Sequence, residues 1–479
     1  MSTAAVIATL IAGSGIALGF AARGRKKMDL EQWTVAGRSM GPLLLWVLMA
    51  GEAFTTFTFL GAPGQAYAQG GPSLFILAYG PMAYIVSFFL LPPLWRYAKK
   101  HGLLTQGDYF AHRFQSRGLG ALVAVIGVVF VVPYTVIQLV GLGDIVTTVT
   151  GIPRAVSLLV AFVFVAVFVF VAGIRSTAWT SALKDVLIIA AVIVVGVVIP
   201  LQYFGSFSGL LDAVNAAHPG HMALPGATSS MDVSWFISTV IMSSLGFYMY
   251  PQLFQATFTA NSERSIRRNA TFLPFYQLAL LLVFFAGLTA LMVVPGLKGA
   301  ESNLALMKLV LVSSPDWLVG FIAGAGALAA MVPASALVLG SATLLSRNVY
   351  QGLLRPNADP RTVLRVSRAL VLLVMLIALG FALTSTAALS SLLLTAYAGV
   401  SQFFPAVLLS LIWPRVSKAG VVAGILVGEG FAFGLISAGH SVLFGLNTGL
   451  VAMVLNLAVT AGVSLLTPAP RRAAEQVPA

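Results

Sequence analysis

Between short polar stretches, the chain runs for about twenty residues at a time with almost no charge. A helix that crosses about 30 Å of hydrocarbon needs about 20 apolar residues. On that criterion thirteen membrane-spanning helices are predicted, near 3–22, 42–68, 73–98, 118–149, 154–174, 178–204, 233–258, 271–296, 316–346, 363–385, 388–413, 419–438 and 444–467. Membrane β-barrels alternate polar and apolar residues, whereas Leu158 to Ala172 is apolar throughout, so the expected class is all-α. The first apolar stretch, Ala4 to Ala22, precedes the Arg23 to Lys27 basic cluster. A cleavable leader carries its charge before the apolar run, so this one reads as a retained span.

Two predicted spans are interrupted. Span 2 contains Thr55-Thr-Phe-Thr-Phe-Leu-Gly-Ala-Pro-Gly64, and span 7 contains Ser243-Ser-Leu-Gly-Phe-Tyr-Met-Tyr-Pro-Gln252. Backbone groups freed at membrane depth need partners, and such breaks mark cavities or ligand sites more often when they recur at matching positions. Spans 2–6 (about 40–205) and 7–11 (about 232–415) then form two five-helix units, each starting with its broken helix. An odd number of helices per unit makes the second start on the opposite side of the membrane, which predicts an inverted-repeat transporter within one membrane domain over 1–479. Helices near 3–22, 419–438 and 444–467 lie outside the repeats.

Composition agrees with lipid as the solvent: 59% hydrophobic residues, 9% charged and a mean hydropathy of +0.96. Net charge is +13, and the positions of the basic residues explain it. With the N-terminus outside and the C-terminus cytoplasmic, all but three of the 27 Lys and Arg fall inside, the exceptions being Arg154, Lys298 and Lys308. The excess therefore signals orientation in a cell (inner) membrane and gives no argument for nucleic acid. Cysteine is absent, and all five histidines are read as loop residues, so no metal ligand set, nucleophile pair or phosphate loop supports an enzyme. The loops read as short, the longest outer one (about 205–232) having no core of its own. The stretch from Gly107 to Phe114 reads as an amphipathic anchor along the membrane surface.

Several motifs together carry a family resemblance. They are Trp33-Thr-Val-Ala-Gly-Arg38, Thr105-Gln-Gly-Asp-Tyr109, Val132-Pro-Tyr-Thr-Val-Ile-Gln-Leu-Val-Gly141 and Ala172-Gly-Ile-Arg-Ser176. Further along stand Met249-Tyr-Pro-Gln252, Ala260 to Asn269, Met331-Val-Pro-Ala-Ser335 and Ser346-Arg-Asn348. In these the chain resembles the sodium:solute symporter family, bacterial monocarboxylate permease branch, over roughly residues 33 to 438. The resemblance implies a solute class of short monocarboxylates, with small amino acids as an extension, and a coupling cation. It also implies a sodium site formed by the carbonyls of Gly51 and Phe54 in span 2 and of Ala329 in span 9, completed by two span 9 hydroxyls. Those hydroxyl positions here are Val332 and Pro333, which offer no oxygen, and span 6 begins with Thr180-Ser181 where the family often has Thr-Asp. The ion site is therefore expected to be vestigial.

Among the acids, Glu52 and Glu429 are read as the only two well inside a span, and no base is expected there. Removal from water disfavours a charged carboxylate, so Glu52, beside the first break, is a candidate proton carrier. A carboxylate that pairs with N–H groups freed by the break is the competing reading. Glu429 reads as a helix-packing acid. With no buried base, a carboxylate solute would be bound by hydroxyls, amides and helix N-termini. Candidates are Thr55, Thr56, Thr58, Tyr134, Gln138, Tyr248, Tyr250, Gln252 and Gln402, with Phe57, Phe59 and Phe247 closing over the solute. The expected function is import of a small monocarboxylate with protons. Sodium-coupled symport and an uncoupled facilitator remain as alternatives, and a twelve-helix permease would require a 6+6 parallel repeat. No cofactor beyond the coupling ion is expected, and the oligomeric state is left open.

Overall fold

The computed structural model describes residues 2–22, 29–171, 173–227 and 230–468. The basic cluster from Arg23 to Lys27, Ala172 and the arginines at 471 and 472 lie outside the described residues. Among the described residues, ten helices are long and apolar enough to span a membrane, and counting each of two bent helix pairs as one span raises the number to twelve. They are α1 (Thr3–Ala21), the pair α2 (Pro42–Ala53) and α3 (Phe57–Gln69), α4 (Gly71–Lys100), α6 (Arg117–Thr150) and α8 (Ile174–Phe204). After these come the pair α10 (Val233–Met249) and α11 (Pro251–Thr257), then α12 (Glu263–Val293), α14 (Asp316–Leu354), α15 (Pro360–Thr384), α16 (Leu389–Ile412), α17 (Lys418–Ser437) and α18 (Thr448–Leu466). A shorter apolar helix, α7 (Arg154–Val171), follows α6.

Both predicted breaks are present. The chain bends by 48° between α2 and α3 and by 59° between α10 and α11. At the first, Phe54 is extended (φ −98°, ψ 96°); at the second, Tyr250 is (φ −58°, ψ 131°) and Pro251 opens the next helix. Proline has no N–H, so it is tolerated at the first position of the new helix and cannot continue the old one. Helix α14 lies at the centre, with every residue of its most apolar window buried. It packs against α1, α6 and α8.

The connections contain more structure than the sequence suggests. The connection near 205–232 begins with helix α9 (Phe207–Ala217), whose Phe207 stacks on Phe285. A further short helix, α13 (Ala305–Ser313), precedes α14 and buries Leu306, Met307 and Val310. Two-residue strands, β1 (Val442–Leu443) and β2 (Leu446–Asn447), pair antiparallel between α17 and α18.

The segment expected as a surface anchor is helix α5 (Gln106–Arg113), and it is an internal strut. Gln106, Tyr109 and Phe110 are fully buried, and His112 lies on this helix instead of in a loop. Its polar residues explain the burial: Tyr109 bonds Ser410 Oγ (2.6 Å), Arg113 donates to the Ser410 carbonyl, and Gln106 Nε2 donates to the Met249 carbonyl (2.9 Å). Asp108 accepts from Leu104 N (3.0 Å), Asn348 Nδ2 (2.8 Å) and Arg347 Nε (3.2 Å), fastening α5 to the end of α14.

Candidate transport site

Ending a helix in mid-membrane strands its last carbonyls. In α2, the donor that would close the helical bond to the Gly51 carbonyl is the Thr55 N–H. That N–H turns instead to Thr58 Oγ1 (2.6 Å), while Thr58 Oγ1 donates back to the Thr55 carbonyl (2.8 Å) and the Phe57 N–H donates to Thr55 Oγ1 (3.2 Å). The Thr56 N–H donates to Gln138 Oε1 of α6 (3.2 Å). Thr55, Thr58 and Gln138 thus satisfy the start of α3, and the Gly51 and Phe54 carbonyls are left to another partner.

That partner is Lys184. Its Nζ donates to the Gly51 carbonyl at 2.6 Å and to the Phe54 carbonyl at 2.7 Å, and it pairs with Asp185 Oδ1 at 3.2 Å. The side chain is fully buried within α8. The absence of any buried base, expected from the sequence, is therefore corrected: Lys184 is a fully buried cation inside an apolar helix and not a loop positive. The two-acid count changes with it, because Asp185 is buried too, bonded to the Tyr276 hydroxyl (3.0 Å). Glycine is required at 51, since a β-carbon there would overlap Ser181 Oγ and keep α8 from approaching.

The carbonyls expected to bind sodium are thus bonded to an ammonium. On the facing helix α14, Val332 and Pro333 are fully buried and supply no oxygen. Pro333 also has no N–H for the Ala329 carbonyl one turn earlier, which leaves that carbonyl without its helical donor. The nearest α14 hydroxyl is Ser335 Oγ, which donates to the Val332 carbonyl (2.8 Å) and contacts Thr177 Oγ1 (3.1 Å).

Glu52 is buried at the end of α2, close to Lys184 and Gln252, and its Oε1 has no hydrogen-bond partner. Both polar atoms of Gln252 are likewise buried and unbonded, as are Thr56 Oγ1 and the hydroxyls of Tyr248 and Tyr250. Aromatic rings link the two breaks. Tyr250 lies 5.3 Å from Tyr134 and 5.1 Å from Tyr397, Tyr79 is 5.5 Å from Tyr397, and Phe247 contacts Tyr79, Tyr84 and Tyr248. Tyr79 and Tyr397 were not singled out from the sequence, because a tyrosine inside an apolar span does not reveal which face it occupies.

Three candidates point elsewhere. Phe59 packs on Gly326 of α14, and Phe57 on Gly61 and Leu389. Gln402 donates to the Ala398 and Gly449 carbonyls (2.9 and 3.2 Å), and Asn456 Nδ2 donates to the Gln402 carbonyl (2.7 Å), so this residue docks α16 on α18. Glu429 is buried on α17 with neither oxygen bonded. Lys184 itself had a sequence signal, lying one helical turn after Thr180 and Ser181 on the face that meets the break.

The sodium:solute symporter family model matches residues 33–428. The chain is 40% identical to the symporter YhjB of Bacillus subtilis, covering 99% of each protein. It is 31% identical to the monocarboxylate transport permease protein of Rhizobium johnstonii, covering 94% of each. In fold it is similar to the substrate-bound outward-open state of a Na+-coupled sialic acid symporter, with a TM-score of 0.81 at 14% identity over 99% of both chains. This multi-pass membrane protein is a transporter and not an enzyme, and it belongs to the sodium:solute symporter family.

Proposed function

We propose that this symporter imports a small monocarboxylate, of the lactate, pyruvate or acetate type, with protons as the coupling ion. The observation that carries the solute assignment is the group of buried, unbonded donors between the breaks: Thr56 Oγ1, Tyr250 OH and Gln252 Nε2. Buried donors without partners cost free energy, and a carboxylate with two oxygens and no large body is the solute that satisfies several at once. The likeness to a monocarboxylate permease supports the same class. Proton coupling is supported by the ammonium on the Gly51 and Phe54 carbonyls, which takes the place a sodium ion would need, and by Glu52 beside it.

In this reading α7 is a thirteenth span, spans 2–6 and 7–11 are the two inverted repeats, the N-terminus is outside and the C-terminus cytoplasmic. The solute class is tested by counterflow in proteoliposomes preloaded with pyruvate. Exchange of lactate, pyruvate or acetate, lowered by Tyr250→Phe and Gln252→Leu, is the expected result. Exchange of amino acids alone would overturn the assignment.

A further inference from the structure

We propose that the seam between α4 and α12 holds an anionic phospholipid, its phosphate gripped by Arg264, Arg267 and Arg268 and its acyl chains laid on the apolar residues beneath. The site is independent of the solute and of the coupling ion. Residues 272–293 of α12 carry no charge and, at 1.5 Å per residue, cross about 30 Å of hydrocarbon. The three arginines fall in the turns just before that stretch, so they stand at the depth of the lipid headgroups.

An orientation signal requires positive charge at this end of the helix but sets no face for it. Here one face carries all of it. Ile266, Asn269 and Leu273 are buried against the protein, whereas the three arginines and Thr271 are exposed and line, with Glu263 and Phe272, an open groove of about 310 Å³. Among the described residues, no ion pair or hydrogen bond occupies any of the three guanidinium groups. The groove's one acid, Glu263, is held by Arg96 at the end of α4 (3.1 Å), so its positive charge is uncompensated. Arg267 lies over the Phe88 ring of α4 (5.5 Å to the ring centre), which sets that arginine at the seam.

Guanidinium forks match the paired oxygens of a phosphate, and the start of α12 adds the positive end of its dipole. Below the groove, Phe272, Phe275 and Leu278 form an exposed stripe on α12, and Met82, Ile85 and Phe89 form one on α4. Acyl chains cover such stripes, and a free phosphate or an acidic peptide would leave them bare. A phosphatidylcholine headgroup brings its own cation, which the arginines repel, so the groove selects lipids of net negative charge.

The test is native mass spectrometry of the full chain in neutral detergent, with dioleoyl phosphatidylglycerol or dioleoyl phosphatidylcholine added at equal concentration. Wild type is expected to retain the phosphatidylglycerol at least about tenfold more, since each arginine near an anionic headgroup contributes roughly fivefold. Arg264→Gln, Arg267→Gln and Arg268→Gln together should abolish the preference. Arg355, Arg361 and Arg365 form another exposed basic group, and replacing all three with Gln removes the same charge and should leave the preference intact. Equal retention of the two lipids by wild type would overturn the site. Equal loss of preference in both triple variants would also overturn it, because binding would then follow net charge alone. Glycerophosphoglycerol, the same headgroup without acyl chains, should fail to displace the lipid when added in excess; displacement would reassign the groove to a free phosphate ester and overturn the lipid assignment.

Discussion

At the scale of single residues, the first break is held by hydroxyls acting on backbone. Thr58 both accepts from the Thr55 N–H and donates to the Thr55 carbonyl. Thr58→Val keeps the shape and removes both bonds, and leaving a buried N–H unpaired costs about 1–3 kcal/mol. A lower melting temperature in detergent and weaker solute binding are expected, with Thr58→Ser close to wild type; equal stability of the valine variant would show that the break is held otherwise. The same bonds show what could be read in the sequence. Three threonines before a Gly-x-Pro-Gly turn announce a break, but not that two of them would serve the backbone. The missing oxygens at Val332 and Pro333 were also legible. Their meaning depended on Lys184, whose side chain reaches carbonyls 130 and 133 positions away. Restoring hydroxyls by Val332→Ser with Pro333→Ser is therefore expected to leave uptake indifferent to sodium. Only with Lys184→Ala added should the site accept sodium, and sodium-dependent stabilisation of the double variant would contradict this.

At the scale of elements, helix α5 was misread because its amphipathic pattern fits a lipid surface as well as a protein groove. Its charged face meets α14, where Asp108 gathers Leu104 N, Arg347 and Asn348. Asp108→Asn is expected to loosen this latch by about 1–3 kcal/mol, the cost of weakening a part-buried charged contact. Hydrogen exchange over residues 104–114 should quicken, and unchanged protection would show the latch to be idle.

The connection near 205–232 offers a pH-dependent counterpart. The buried ring of His221 contacts the Ala66 carbonyl (3.0 Å), and the Gly71 N–H donates to the His221 carbonyl (2.9 Å), so this loop covers the end of α3. Burial holds the His221 pKa below its usual 6.5. The folded loop then binds fewer protons than the unfolded one, so its stability is complete above pH 6.5 and declines as pH falls towards the lowered value. The protection factors of residues 218–223, with the intrinsic pH dependence of amide exchange divided out, should fall on acidification, and His221→Gln should flatten the response. Protection that falls on alkalisation instead would reverse the sign and contradict it.

At the scale of the whole molecule, apolar periodicity predicted the helices and the two paired breaks, because lipid forces every backbone group to be satisfied within its own helix except at a site. Helices α9 and α13 escaped because short connecting helices bury only a few residues and leave no long apolar run. A charge count treated Lys184 as one more inside positive, although in three dimensions it is the cation at the heart of the first break. In the proposed mechanism this tethered charge replaces sodium. Its most direct test is uptake of labelled pyruvate or lactate into proteoliposomes under either a proton gradient without sodium or a sodium gradient at constant pH. Accumulation driven by the proton gradient and unmoved by sodium is the predicted result; accumulation driven by sodium alone would contradict it.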